Sequence, residues 1–243
     1  MSSFQIENSV AFVTGTNRKN GMGQAFVKAL IENGAKKVYA TAREASQLDE
    51  LVAEHEGKVV AVALDVTDFD ALSKLSEKYP DVNLVVNNAG YLAGTGSLDE
   101  VEKARMEVVV NYLAPMAIVK SFSDQLNYGD SAVVNIASIA SFINFPIGGT
   151  YSASKAAMHS LTQAQRRDLP NTFVTALYPG PIDTNMAAEY PFEKESPATV
   201  AQAMIDALKQ GREDVFPDKV AAQMFDSWTS DPKAVEKQMA VNA

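Results

Sequence analysis

The chain has no cysteine, only two histidines and a single tryptophan in 243 residues. Without thiols there can be no disulfide, thiolate nucleophile or iron–sulfur cluster. His55 and His159 are too few and too scattered for a metal centre, so no metal is expected. No apolar run approaches membrane-spanning length, and Met1-Ser-Ser-Phe-Gln-Ile-Glu has neither the basic nor the apolar region of a secretory leader. Long basic runs are also missing. With 21 Lys and Arg against 30 Asp and Glu, the formal net charge is −9 at pH 7. A nucleic-acid footprint needs the opposite balance. Together these absences point to a cytoplasmic protein that acts on neither nucleic acid nor membrane.

What is present is a long alternation of short β-branched runs and helical stretches. Val10–Thr14, Lys37–Thr41, Lys58–Leu64, Asn83–Asn87, Ser131–Ile136 and Thr172–Leu177 read as strands, with a short seventh at Asp214–Pro217. Helical spacing covers Met22–Asn33, Glu44–His55, Asp68–Lys78, Val101–Leu126, Tyr151–Arg167 and Pro197–Lys209, with Pro115 expected to bend or divide its helix. Strands that are apolar on both faces and alternate with helices form a parallel sheet covered on both sides. The fold class expected is α/β, a single doubly wound Rossmann domain over 1–243 with a largely parallel seven-stranded sheet. Its nucleotide-binding half would cover about 10–137 and its catalytic and substrate half about 138–243. A last apolar stripe, Val220, Met224, Phe225 and Trp228, reads as core packing, and a short helix with Val235 and Met239 follows.

Three side chains suggest chemistry. Ser138 ends the fifth strand, and Tyr151 and Lys155 stand one helical turn apart on one face. A free phenol is a poor base at neutral pH, but an ammonium beside it favours the phenolate and brings proton transfer within reach. The Ser138 hydroxyl can polarise a substrate oxygen. Taken alone, Tyr-x-x-x-Lys equally describes an exposed helical pair.

The Gly-rich turn Thr14-Gly15-Thr-Asn17-Arg18-Lys-Asn-Gly21-Met22-Gly23 sits between the first strand and first helix, where such sheets bind dinucleotides. A plain structural turn would use the same glycines. An NAD site usually offers an acid at the end of the second strand, but here that position is Ala42, followed by Arg43. Arg43 can pair with a 2′-phosphate, and Arg18 can clamp its other side with Lys19 nearby, which favours NADP(H). The alternative is that these are solvated surface cations.

In combination these residues resemble the short-chain dehydrogenase/reductase family from about Val10 to Phe216. Gly15, Asn17, Arg18, Gly21, Met22 and Gly23 are similar to its cofactor loop, and Asp65-Val66 to the pair that touches adenine. Asn87-Asn88-Ala89-Gly90 is similar to the signature that supports the sheet and lies along the cofactor. Pro179-Gly180-Pro-Ile182-Asp-Thr184 resembles the segment that grips the nicotinamide carboxamide. Asn111, Ser138, Tyr151 and Lys155 match the catalytic residues, with Tyr151 and Lys155 also touching the cofactor. One departure is that five residues, not three, separate Gly15 from Gly21, so Lys19-Asn20 reads as an insertion that either lengthens the phosphate loop or folds outward.

The resemblance implies a carbonyl/alcohol oxidoreductase of the carbonyl reductase type. Tyr151 would act as acid/base, Lys155 would stabilise the phenolate and bond the nicotinamide ribose, and Ser138 would hold the substrate oxygen. Asn111 would brace a water that leads to Lys155, or else simply bend its helix. Phe142, Ile143, Phe145 and Ile147 lie between serine and tyrosine and are expected to wall a pocket for an apolar or aromatic ketone or aldehyde, with Phe142 and Phe145 in contact with substrate. Met186, Tyr190, Pro191 and Phe192 are expected to form a partial lid, and His159 a packed histidine. By resemblance, helices equivalent to Val101–Leu126 and Tyr151–Arg167 pack across a two-fold axis into a homodimer or homotetramer. Two rivals remain, a non-catalytic NADP-binding regulator and a partner-binding protein on the same fold.

Overall fold

The computed structural model describes residues 3–187 and 193–241. Seven parallel strands form one sheet: β1 (Val10–Val13), β2 (Lys37–Ala42), β3 (Val59–Ala63), β4 (Leu84–Asn87), β5 (Ala132–Ile136), β6 (Phe173–Leu177) and β7 (Asp214–Val215), in the order β3-β2-β1-β4-β5-β6-β7. Strand side chains alternate between two cores. Ala11 and Val13 of β1 join Val86 and Val134 under α1 (Met22–Glu32) and α8 (Pro197–Gln210). Val10 and Phe12 point the other way, toward Ile118 and Phe122 of α6 (Ala114–Leu126). Burial on both faces is what selects the near-continuous apolar composition of the strands. Among the described residues no helix is long and apolar enough to cross a membrane.

Two expected helices are shorter than their spacing suggests. The stretch from Glu44 opens as a 3₁₀ turn at Ala45–Leu48 before α2 (Asp49–Glu54). Asp68–Lys78 splits into α3 (Phe69–Leu72) and α4 (Leu75–Lys78). The Ser73 hydroxyl donates to the Asp70 carbonyl at 2.8 Å, a local bond that competes with helix continuation.

The long helix does not break at Pro115. It runs as α5 (Val101–Val108), a π-turn at Val109–Leu113, then α6. Pro115 has no N–H, so the Asn111 carbonyl lacks its ordinary i+4 donor, and the wider turn absorbs the mismatch. Next comes α7 (Gly149–Asp168), tied to the sheet by a buried polar ladder. Asn87 donates to Asn135 at 2.8 Å, and Asn135 donates to Thr162 at 2.9 Å and Gln165 at 2.8 Å. This fixes the rotation of the helix that carries Tyr151 and Lys155. The chain closes with α9 (Lys219–Ser230) and α10 (Pro232–Val241).

Candidate active site

The sheet order reverses between β1 and β4, and a crevice opens at their carboxyl ends. Thr14 organises it. Its hydroxyl oxygen accepts from the N–H groups of Asn88 and Ala89, both at 3.0 Å, and the Asn88 amide donates to the Thr14 and Gly15 carbonyls at 2.8 and 3.0 Å. Two glycines are required by space. A Cβ on Gly15, which sits at φ +70°, would stand 2.8 Å from Ala89 Cα, and one on Gly23 would stand 2.5 Å from the Gly15 carbonyl. Gly21 caps α1 without a side-chain acceptor, and no acid lies in the first turn. The helix N-terminus therefore presents free donors to an anion.

Around this crevice the cations divide. Arg18 and Arg43 are exposed and form no ion pair among the described residues, whereas Lys19 is bound to Glu50. Asp65 accepts from the Thr67 N–H and hydroxyl, both at 2.8 Å. Those bonds, and more weakly the Arg43 charge, hold its carboxyl below the usual range. Arg43 and Asp65 thus sit near one another at adjacent strand ends, with Val66 half-buried beside them. The extra residues Lys19 and Asn20 turn outward. Asn20 takes φ +62°, and the Gly21 N–H closes the turn on the Arg18 carbonyl at 3.0 Å. Lys19 is therefore drawn toward α2.

At the ends of β5 and β6 the working groups are side chains. Ser138 accepts from the Ala140 N–H at 3.1 Å and donates to the Pro179 carbonyl at 3.3 Å. Tyr151 shares a hydrogen bond with Ser138. Lys155, 4% exposed, donates to the Ile136 carbonyl at 2.8 Å, with its Nζ 5.6 Å from the Tyr151 ring centre. Burial pushes the Tyr151 phenol up to about 12; the Ser138 bond opposes this and the Glu107 charge adds to it. Burial brings Lys155 down to about 8. Desolvation is the largest cause of both shifts.

Asn111 is fully committed. Its Oδ1 accepts from the Tyr91 N–H at 2.8 Å, and its Nδ2 donates to the Tyr91 carbonyl at 2.8 Å and to Ser154 at 2.9 Å. Gly90 lies between Asn111 and Lys155, each within 4 Å of where its Cβ would be. Gly180 donates its N–H to Asp218 at 2.8 Å, buried Ile182 pairs with Glu195, and the Thr184 hydroxyl donates to the Ile182 carbonyl at 3.4 Å. These residues form a shelf beside Ser138.

The segment expected as an apolar wall is packed in large part against the protein itself. Ile143 is 3% exposed and belongs to a core with Ala221 and Val235. Phe142 is enclosed by aromatic rings, with His159, Tyr178, Phe225 and Trp228 centred 4.8–5.2 Å away. Phe145 packs on the same cluster, and Ile147 is exposed. The spacing between serine and tyrosine located this segment but could not show that the α9 stripe claims its rings. Met186 is exposed, while Tyr190, Pro191 and Phe192 lie outside the described residues. His159 is packed as expected, with Nδ1 2.7 Å from the Tyr178 hydroxyl, and burial lowers its pKa. One contributor escaped the sequence reading: Glu107, one turn before Asn111 on the inward face.

Comparison with known proteins follows the same lines. The short chain dehydrogenase family model matches residues 9–195. An uncharacterised oxidoreductase of Staphylococcus saprophyticus is 30% identical over 221 residues, covering 85% of this chain and 93% of the relative. A short chain dehydrogenase from Burkholderia cenocepacia, solved in complex with NADP, superimposes with a TM-score of 0.90 at 32% identity, covering 97% of this chain and 98% of that one. An alcohol dehydrogenase from the archaeon Thermococcus sibiricus, complexed with 5-hydroxy-NADP, gives a TM-score of 0.74 at 28% identity over 86% and 95%.

Proposed function

The chain belongs to the short-chain dehydrogenase family, and from that premise we propose that it is an NADPH-dependent oxidoreductase that interconverts a small ketone or aldehyde and its alcohol. The observation that carries this reading is the half-buried Tyr151 beside Ser138, with the buried Lys155 ammonium 5.6 Å from its ring centre. Such a phenol is an acid in waiting, suited to protonating a carbonyl oxygen as the carbon is reduced. Bound NADPH supplies the hydride.

Ser138 fixes the carbonyl oxygen beside the phenol, and Tyr151 passes its proton to that oxygen. The phenolate left behind lies near the Lys155 ammonium, which lowers its energy until it is reprotonated. The Asn111 carbonyl, deprived of a donor by Pro115, is available to a water on the route to Lys155. At the other end, the α1 N-terminus receives the pyrophosphate, Thr14, Asn88 and Ala89 set the crevice wall, and Pro179, Gly180, Ile182 and Thr184 form the nicotinamide shelf. Ala42 and unpaired Arg43 favour a 2′-phosphate over a free ribose hydroxyl, with Arg18 opposite.

The substrate is a small, apolar or aromatic carbonyl compound, admitted beside Phe145 and exposed Ile147 with no cation between Ser138 and Tyr151 to anchor an anion. An apolar groove between α6 and α7, lined by Tyr112, Met116, Ala157, Leu161 and Ala164, supports a homodimer or homotetramer, working in the cytoplasm. The test is consumption of NADPH and NADH with aromatic, aliphatic and cyclic ketones and aldehydes. Turnover with NADPH is expected. Tight NADPH binding without turnover of any carbonyl would leave a cofactor-sensing protein, and preference for NADH would remove Arg43 from its role.

A further inference from the structure

Glu107 has no exposed surface. One carboxyl oxygen accepts from the Ala93 N–H at 2.8 Å, and the other is buried with no hydrogen-bond partner. A buried carboxyl group with one donor is costly to keep, because each unsatisfied oxygen forfeits its hydration. An inward face built for packing alone would carry an apolar residue here, as the neighbouring Val110 does.

The segment following β4 shows what Glu107 does. It is pinned at alternate residues. Asn111 takes both backbone groups of Tyr91, Glu107 takes the N–H of Ala93, and Thr95 meets Thr150, hydroxyl to hydroxyl, at 2.6 Å. Thr150 precedes Tyr151. Between the first two pinned residues, Leu92 lies against Gly148, 3.1 Å from where its Cβ would be, with Tyr151 Cβ 3.3 Å from the same point. The π-turn adds a residue to the helix and keeps Glu107 and Asn111 on the inward face with Ala114 and Ile118.

We propose that Glu107 is a positioning residue of the catalytic site, clamping the 91–95 segment so that Leu92 braces the start of α7. The proposal rests on the reading of Tyr151 as the acid. On the helix of Glu107, Lys103 and Arg105 turn outward to Glu100 and Glu102.

Glu107→Gln keeps an acceptor for Ala93, whereas Glu107→Ala removes it. Ketone reduction by Glu107→Gln should keep a wild-type KM, and Glu107→Ala should raise KM about three- to tenfold by release of the segment. Amide exchange in residues 91–95, read without substrate or cofactor, should quicken about tenfold in Glu107→Ala and stay near wild type in Glu107→Gln. Unchanged exchange in Glu107→Ala would overturn the clamp. A wild-type KM in Glu107→Ala would overturn the positioning role. If the wild-type enzyme reduces no carbonyl, the catalytic reading fails while the exchange experiment still decides the clamp; and if Glu107→Ala does not fold, Glu107→Asp, too short to reach Ala93, takes its place.

Discussion

The two ends of the sheet's crevice are built from opposite materials. Between β1 and β4 the working groups are backbone N–H and C=O groups, shaped by missing side chains at Gly15 and Gly23 and edged by exposed Arg18 and Arg43. Beyond β5 and β6 they are side chains, half-buried Tyr151 and buried Lys155, whose proton affinities are moved by desolvation. The first end suits recognition by shape and surface charge. The second suits proton transfer by side chains, whose behaviour depends on what packs around them. Damage at one end should therefore show in binding, and damage at the other in rate.

The largest effect expected is at the side-chain end. Lys155→Met should lower turnover by about 10²–10⁴-fold and yet raise stability. Burial holds Lys155 at about 8, below its ordinary 10.5, so the unfolded chain binds its proton more tightly. Stability of the wild-type protein therefore climbs with pH between those two values, and the penalty is complete below the lower one. Removing the ammonium should add about 1–3 kcal/mol at pH 7, after allowing for the lost bond to Ile136, and the gain should fade above pH 10. Thermal melts of both proteins at pH 7 and pH 10 read this directly; a lower melting temperature at pH 7 would contradict it.

At the open end, Gly23→Ala forces a methyl group against the Gly15 carbonyl. The loop must shift, and NADPH binding should weaken by about 10–100-fold, the cost of overpacking a tight site. Arg43→Ala should weaken NADPH by about tenfold or somewhat more while leaving NADH unchanged, because only a 2′-phosphate uses that guanidinium. An equal loss for both cofactors would place Arg43 elsewhere. Smallest of all is Lys19→Ala. Its ion pair with Glu50 is exposed, and NADPH affinity should move by less than about twofold.

The same contrast explains what was legible in the sequence. The strands themselves, the Gly-rich turn and the Ser138, Tyr151 and Lys155 spacing are local patterns, and periodicity with glycine punctuation exposes them. Whatever depends on a distant element was hidden. Spacing brought Lys155 to Tyr151 but gave no measure of burial, which moves the proton affinity of both groups. The rings between Ser138 and Tyr151 were found, yet their enclosure by Phe225 and Trp228 belongs to a helix some eighty residues later. Lys19 joined Glu50 across the same kind of gap. Ser73 split a helix through one hydroxyl bond that no hydrophobic pattern reports.

The most direct test of the division is Tyr151→Phe, assayed twice on one preparation: NADPH binding by fluorescence and ketone reduction by absorbance. Binding within about twofold of wild type, with turnover reduced about 10²–10⁴-fold, is the predicted result. Turnover near the wild-type rate would contradict Tyr151 as the acid, and with it the account of the side-chain end.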